Sequence, residues 1–135
     1  MQMRFIAAVA VTVSAAVHLW LWFDGYRDES VIGPLFLLNV AGGLGIAVLL
    51  LRWDHWVPPF LAAGFGVSTL AGFVLSATVG LFGVQETWSG FAVWTAAIAE
   101  VVAIVAGSIA LLRSEHPLSV PQAQHGRPVG RQNLH

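Results

Sequence analysis

Ser89-Gly90-Phe91-Ala92-Val93-Trp94-Thr95-Ala96-Ala97-Ile98-Ala99-Glu100-Val101-Val102-Ala103-Ile104-Val105-Ala106-Gly107-Ser108-Ile109-Ala110-Leu111-Leu112 contains one ionisable side chain, Glu100. A helix of about 20 apolar residues crosses a hydrocarbon core of roughly 30 Å, so the stretch reads as a membrane span with a carboxyl near its middle. Working outward, three earlier runs have the same character, over residues 5–23, 31–51 and 57 to about 82. None alternates as a barrel strand does, and open strand edges cannot be satisfied in lipid, so all four are expected to be helical. The expected fold is all-α, a four-transmembrane-helix bundle.

Composition supports that reading. Of the 135 residues 57% are hydrophobic and 10% charged, against about 45–50% and about 25% in soluble domains. Lipid is therefore the expected surround. The six basic residues are all arginine and the formal net charge is −1, which offers no basic face for nucleic acid. Cysteine is absent, excluding disulfides, thiolate metal sites, iron–sulfur clusters and cysteine nucleophiles.

The connections carry turn and interface chemistry. Asp24-Gly25-Tyr26-Arg27-Asp28-Glu29 reads as a turn, Ser30 as a cap for the second helix, and Pro34 is tolerated in its first turn. Arg52-Trp53-Asp54-His55-Trp56 forms the second connection and Pro58-Pro59 opens the third helix. Gln85-Glu86-Thr87-Trp88 is the third, with Ser89 a candidate cap. Trp20, Trp22, Tyr26, Trp53, Trp56 and Trp88 fall where an interfacial aromatic belt belongs. Arg4, Arg52, Arg113, Arg127 and Arg131 lie on one side and Arg27 alone on the other. The positive-inside rule then places both termini in the cytoplasm, in a multi-pass plasma-membrane protein. The first run reads as an anchor rather than a cleaved signal peptide, because its apolar character continues past Ser14-Ala15-Ala16 to Phe23. Residues 1–113 form the expected membrane domain. Residues 114–135, broken by Pro117, Pro121, Gly126, Pro128 and Gly130, read as a flexible, disordered cytoplasmic tail.

Two packing signatures stand out. The third run has a small residue at every fourth position, Gly64, Ser68, Gly72, Ser76 and Gly80, the spacing that lets membrane helices approach closely. The fourth has alanine at 92, 96, 99, 103, 106 and 110, a heptad seam; the second adds Gly42, Gly43 and Gly45. These faces serve either a bundle packed on itself or the docking of a membrane-protein partner or a second copy. A faint repeat aligns 14–20 with 76–82, which would make the two hairpins parallel halves.

His18, Asn39 and Glu100 are costly in lipid. At 1.5 Å per residue they lie roughly 9, 13 and 16 Å below the outer boundary, one depth band from which they can converge. An ionisable side chain at the bilayer centre costs about 2.5–3.5 kcal/mol to insert, so Glu100 is the leading functional candidate. The alternative is a protonated Glu100 bonded to His18, Asn39 or Thr95. Asn39 also reads as interhelical glue, and His18 as a neutral imidazole bonded to a neighbour. A bis-histidine haem would need a second membrane histidine at matching depth. Haem is left as shared across a homodimer or bound by His18 alone; quinone stays open, and no metal ligand set appears. A Ser14-His18-Glu100 hydrolytic set can be drawn, but a nucleophile also needs an oxyanion site. Phosphate loops, dinucleotide glycine patterns and His-Glu-x-x-His are missing.

The stretch His18-Leu19-Trp20-Leu21-Trp22-Phe23-Asp24-Gly25-Tyr26-Arg27, followed by Ile32-Gly33-Pro34-Leu35-Phe36-Leu37-Leu38-Asn39, resembles small uncharacterised four-helix membrane proteins of high-GC actinobacteria over residues 5–112. In helix count the chain is also similar to the DoxX-like families. The resemblance implies the fold and carries no activity with it. The sequence alone favours an accessory or scaffold subunit of a membrane complex, docking through its small-residue faces, and a non-enzyme over an enzyme. The first alternative is a homodimeric proton-coupled carrier using Glu100. The second is a quinone- or haem-associated protein using His18.

Overall fold

The computed structural model describes residues 2–80, 83 and 89–114. They form α1 (Gln2–Phe23), a one-turn 3₁₀ helix (Tyr26–Asp28), α2 (Ile32–Arg52), α3 (Val57–Thr78) and α4 (Phe91–Ser114), with no strand among the described residues. Each of the four α-helices is long and apolar enough to cross a membrane. The expected tail beyond Ser114 and the third connection, with Glu86 and Trp88, lie outside the described residues.

α1 lies between α2 and α4, and α3 packs on α4, while α2 and α3 meet sparsely. The core is made of small side chains. Ala7, Ala8, Ala10 and Val11 of α1 cluster with Ala47 and Leu50 of α2, Ala62 of α3, and Ala103 and Ala106 of α4. The alanine seam of α4 is buried at 96, 99, 103, 106 and 110, with Ala92 half-buried. Short side chains let backbones approach, which is how helices gain van der Waals energy where lipid removes the hydrophobic drive. The outward residues are large and apolar, such as Phe5, Leu38, Leu51, Val67 and Ile98.

The tightest contacts use glycines other than the four-residue stripe. A Cβ on Gly66 would sit 2.7 Å from Glu100 O, and one on Gly107 2.9 Å from Ala63 N, so these two close the α3–α4 seam. Gly43 does the same between α2 and α1, 3.1 Å from Val11 O. Gly66 lies two residues from both Gly64 and Ser68, about 160–200° round the helix, which turns the stripe away from the seam. Gly64 and Gly72 meet nothing within 4 Å. Gly80 leaves the stripe altogether. Its φ of 81° is left-handed, and it follows Val79, whose N–H closes the last turn on Leu75 O. A left-handed glycine just past the last turn is a common helix stop, and it ends α3 at Thr78, short of the expected 82.

Two other boundaries differ from expectation. α2 has Val31 at its N-cap with no side-chain cap, so Ser30 does not fill that role; Gly33 N–H bonds Glu29 O instead. α1 already includes Gln2, ahead of the expected start at 5, and Arg4 is drawn inside the bundle, 7% exposed. Its guanidinium donates to Leu50 O (3.2 Å), His55 O (2.9 Å) and Trp53 O, the carbonyls at and beyond the last turn of α2. Those carbonyls have no intrahelical donor, and a guanidinium fork supplies several at once. The connection is completed by Trp53, His55 and Trp56, whose rings contact one another in series. Trp20, Trp22 and Tyr26 mark the opposite end.

Candidate functional site

Because α2 and α3 stand apart, a cleft of about 560 Å³ opens between them. Its walls are apolar, from Leu35 and Phe36 on α2 to Phe65 and Phe73 on α3. Gly64, Ser68 and Gly72 line the α3 side, where their lack of bulk makes space rather than contact. Three intramembrane polar residues anticipated from the sequence, His18, Asn39 and Glu100, all border this cleft, with Thr69 and Ser76. Convergence follows from topology: α1 and α4 form its back, and their polar residues lie near the same end of the bundle.

Glu100 is the largest of the fully buried side chains, 1% exposed. Its Oε1 accepts from Ser14 Oγ at 3.4 Å, and its Oε2 has no hydrogen-bond partner among the described residues. Ser14 is itself fully buried on α1, one turn before His18. His18 Nδ1 lies 2.7 Å from Ser14 O and 3.4 Å from Ser14 Oγ. A carbonyl can only accept, so Nδ1 carries the proton. Phe36 meets the imidazole edge-on at a centroid distance of 5.0 Å, fixing the ring from the α2 side. Ser14 thus links the two: its carbonyl accepts His18 Nδ1–H and its hydroxyl donates to Glu100 Oε1.

That order is wrong for a hydrolytic triad. In a triad the histidine stands between nucleophile and acid and takes the serine proton. Here serine stands between, it donates to the carboxyl, and the facing imidazole nitrogen already holds a hydrogen. The set holds or passes a proton but does not activate Ser14. Among the described residues no three metal-binding side chains come together.

Asn39 joins the cleft from α2. Its Nδ2 donates to Thr69 Oγ1 at 2.9 Å, a bridge from α2 to α3, while Oδ1 has no partner among the described residues. Sequence reasoning misses Thr69; the available signal was a hydroxyl midway along an apolar helix, at a depth an asparagine on the neighbour could reach. Thr95, a candidate partner for Glu100, donates instead to Phe91 O on its own helix at 2.7 Å. The scattered histidines 116, 125 and 135 lie outside the described residues, and His55 stacks on Trp53 and does not line the cleft. The chain is thus a small membrane protein whose described residues form four apolar helices and line a lateral cleft between α2 and α3. Comparison with models of known protein families, with curated proteins and with solved structures finds no match to it.

Proposed function

We propose that this protein is a membrane-embedded binding protein for a lipophilic small molecule, which reaches the α2–α3 cleft sideways from the bilayer. The observation that carries the reading is Glu100, an acid buried to 1% exposure at the edge of an otherwise apolar cleft, with one oxygen unsatisfied. Buried polar atoms without partners are rare, and each points to a ligand, a water or a strained function. Apolar clefts with a few convergent polar groups are the usual form of small-molecule sites. On this reading the chain is a multi-pass plasma-membrane protein with both termini cytoplasmic, and the cleft lies toward the outer leaflet. Carriage of the ligand in exchange for a proton on Glu100 is the natural extension, and a second copy would complete a path across the membrane.

The test is photolabelling with a decyl diazirine in nanodiscs. Label is expected on α2 and α3 residues facing the cleft, saturably, and is expected to fall in Gly72→Phe, which fills space where a Cβ meets nothing. Label spread evenly over lipid-facing residues, unchanged by Gly72→Phe, would sink the reading.

A scaffold role is favoured by a different face. Gly42 and Gly45 of α2 are exposed, border no cleft and meet nothing within 4 Å, which leaves room for a second helix backbone. Native mass spectrometry in mild detergent separates the readings. A stoichiometric protein partner lost in Gly45→Leu supports a scaffold, whereas a lone chain retaining a lipophile supports the cleft.

A further inference from the structure

We infer that the ligand of the cleft is a lipophilic amine, bound as its ammonium ion with N–H groups given to Glu100 Oε2 and Asn39 Oδ1. This rests on the cleft being a lipophile site and adds the chemistry of the polar end. The two buried side-chain oxygens left without partners among the described residues are Glu100 Oε2 and Asn39 Oδ1, and both residues border the cleft. Both oxygens are closed off as the side chains stand, so the ligand meets them by turning each side chain toward the cleft. Each accepts hydrogen bonds, so the complementary head group is one that donates.

Charge narrows the class further. Among the described residues no arginine borders the cleft, and His18, which does, turns its Nδ1 to Ser14 rather than to Glu100. Arg4 is committed to three carbonyls and Arg27 lies beside Asp28 at 3.9 Å, while Arg52 and Arg113 sit in the last turns of α2 and α4. A buried carboxyl without a cation is matched by a ligand that brings one. Phe36, Phe65 and Phe73 add aromatic side chains to the lining, the residue type that attracts ammonium groups. A fatty acid would bring a second acid, and a quinone would bring two acceptors to a site already short of donors. The apolar walls take the tail.

The test is competition against the decyl diazirine label in neutral phosphatidylcholine nanodiscs, with partitioning subtracted using empty discs. The competitors share one tail: decylamine, decyltrimethylammonium, decanol and decyl-benzoquinone. Decylamine is expected to protect the cleft about tenfold better than any of the others, the size of one charge-assisted hydrogen bond. Glu100→Gln is expected to bring it down to the level of decanol. Should that variant fail to fold, the series on the unaltered protein decides by itself. Equal protection by all four, or best protection by the benzoquinone, overturns the amine. If label still falls in Gly72→Phe, the cleft reading stands without it. Label that no competitor displaces and Gly72→Phe does not reduce overturns both.

Discussion

Arg4 holds the end of α2 through three carbonyls at once, and its removal reaches further than the loss of one surface charge. Arg4→Leu takes the guanidinium donor from Leu50 O and His55 O and leaves Trp53 O only the His55 N–H, at an expected cost of about 1.5–3 kcal/mol. Arg4→Lys should recover little, because an ammonium cannot present a planar fork to three acceptors. Thermal unfolding followed by circular dichroism in detergent checks both; an unchanged midpoint for Arg4→Leu rejects the clamp. Ser14 is the second such residue. Ser14→Ala withdraws the donor to a carboxyl oxygen inside the bundle, at an expected cost of about 1–3 kcal/mol. Combining it with Glu100→Leu should cost less than the sum of the two single changes, because neither partner is then left behind. Strict additivity would mean that the 3.4 Å contact carries no energy. Glu100 and His18 were legible in the sequence because polar atoms are conspicuous in an apolar run. The role of Arg4 was not. A single arginine at a span boundary reads as a marker of sidedness, and its partners are backbone carbonyls, which no side-chain pattern announces.

Elements differ in how their glycines are used, and α3 shows both uses on one helix. Gly66 lies against the backbone of α4, whereas Gly72 faces the cleft. Gly66→Ala is therefore expected to lose about 1–3 kcal/mol through overpacking. Gly72→Ala should gain about 0.5–1 kcal/mol, because alanine orders a helix at smaller entropic cost and meets no obstacle. The two melting midpoints should move in opposite directions; a shift of the same sign in both contradicts the assignment. The four-residue stripe was visible in the sequence, but spacing reports only that residues share a face. Whether the face meets a helix or a space depends on where the neighbour stands. The alanines of α4 at 96, 99, 103, 106 and 110 are buried, on a helix that has neighbours on both sides, α1 and α3. The repeat between α1 and α3 fares differently. Duplicated hairpins would give α2–α3 a seam like that of α1–α4, and the cleft stands in its place.

At the scale of the whole molecule, the bundle is two hairpins joined along α1 and α4, with Asn39 and Thr69 bridging the open side. A short crosslink between cysteines placed at 39 and 69 should hold α2 to α3 and slow lipophile binding at least several-fold. The chain has no cysteine of its own, so the reagent has only those two targets. The same double-cysteine protein left uncrosslinked is the control, and equal rates for the crosslinked and open forms would place the way in elsewhere. The Arg4 clamp also sets an order of events during synthesis. Its acceptors extend to His55, so the guanidinium finds its partners only after α2 and the turn beyond it have left the ribosome. Leu50 O and Trp53 O come first and His55 O last, so the clamp is complete only once the whole second connection has emerged.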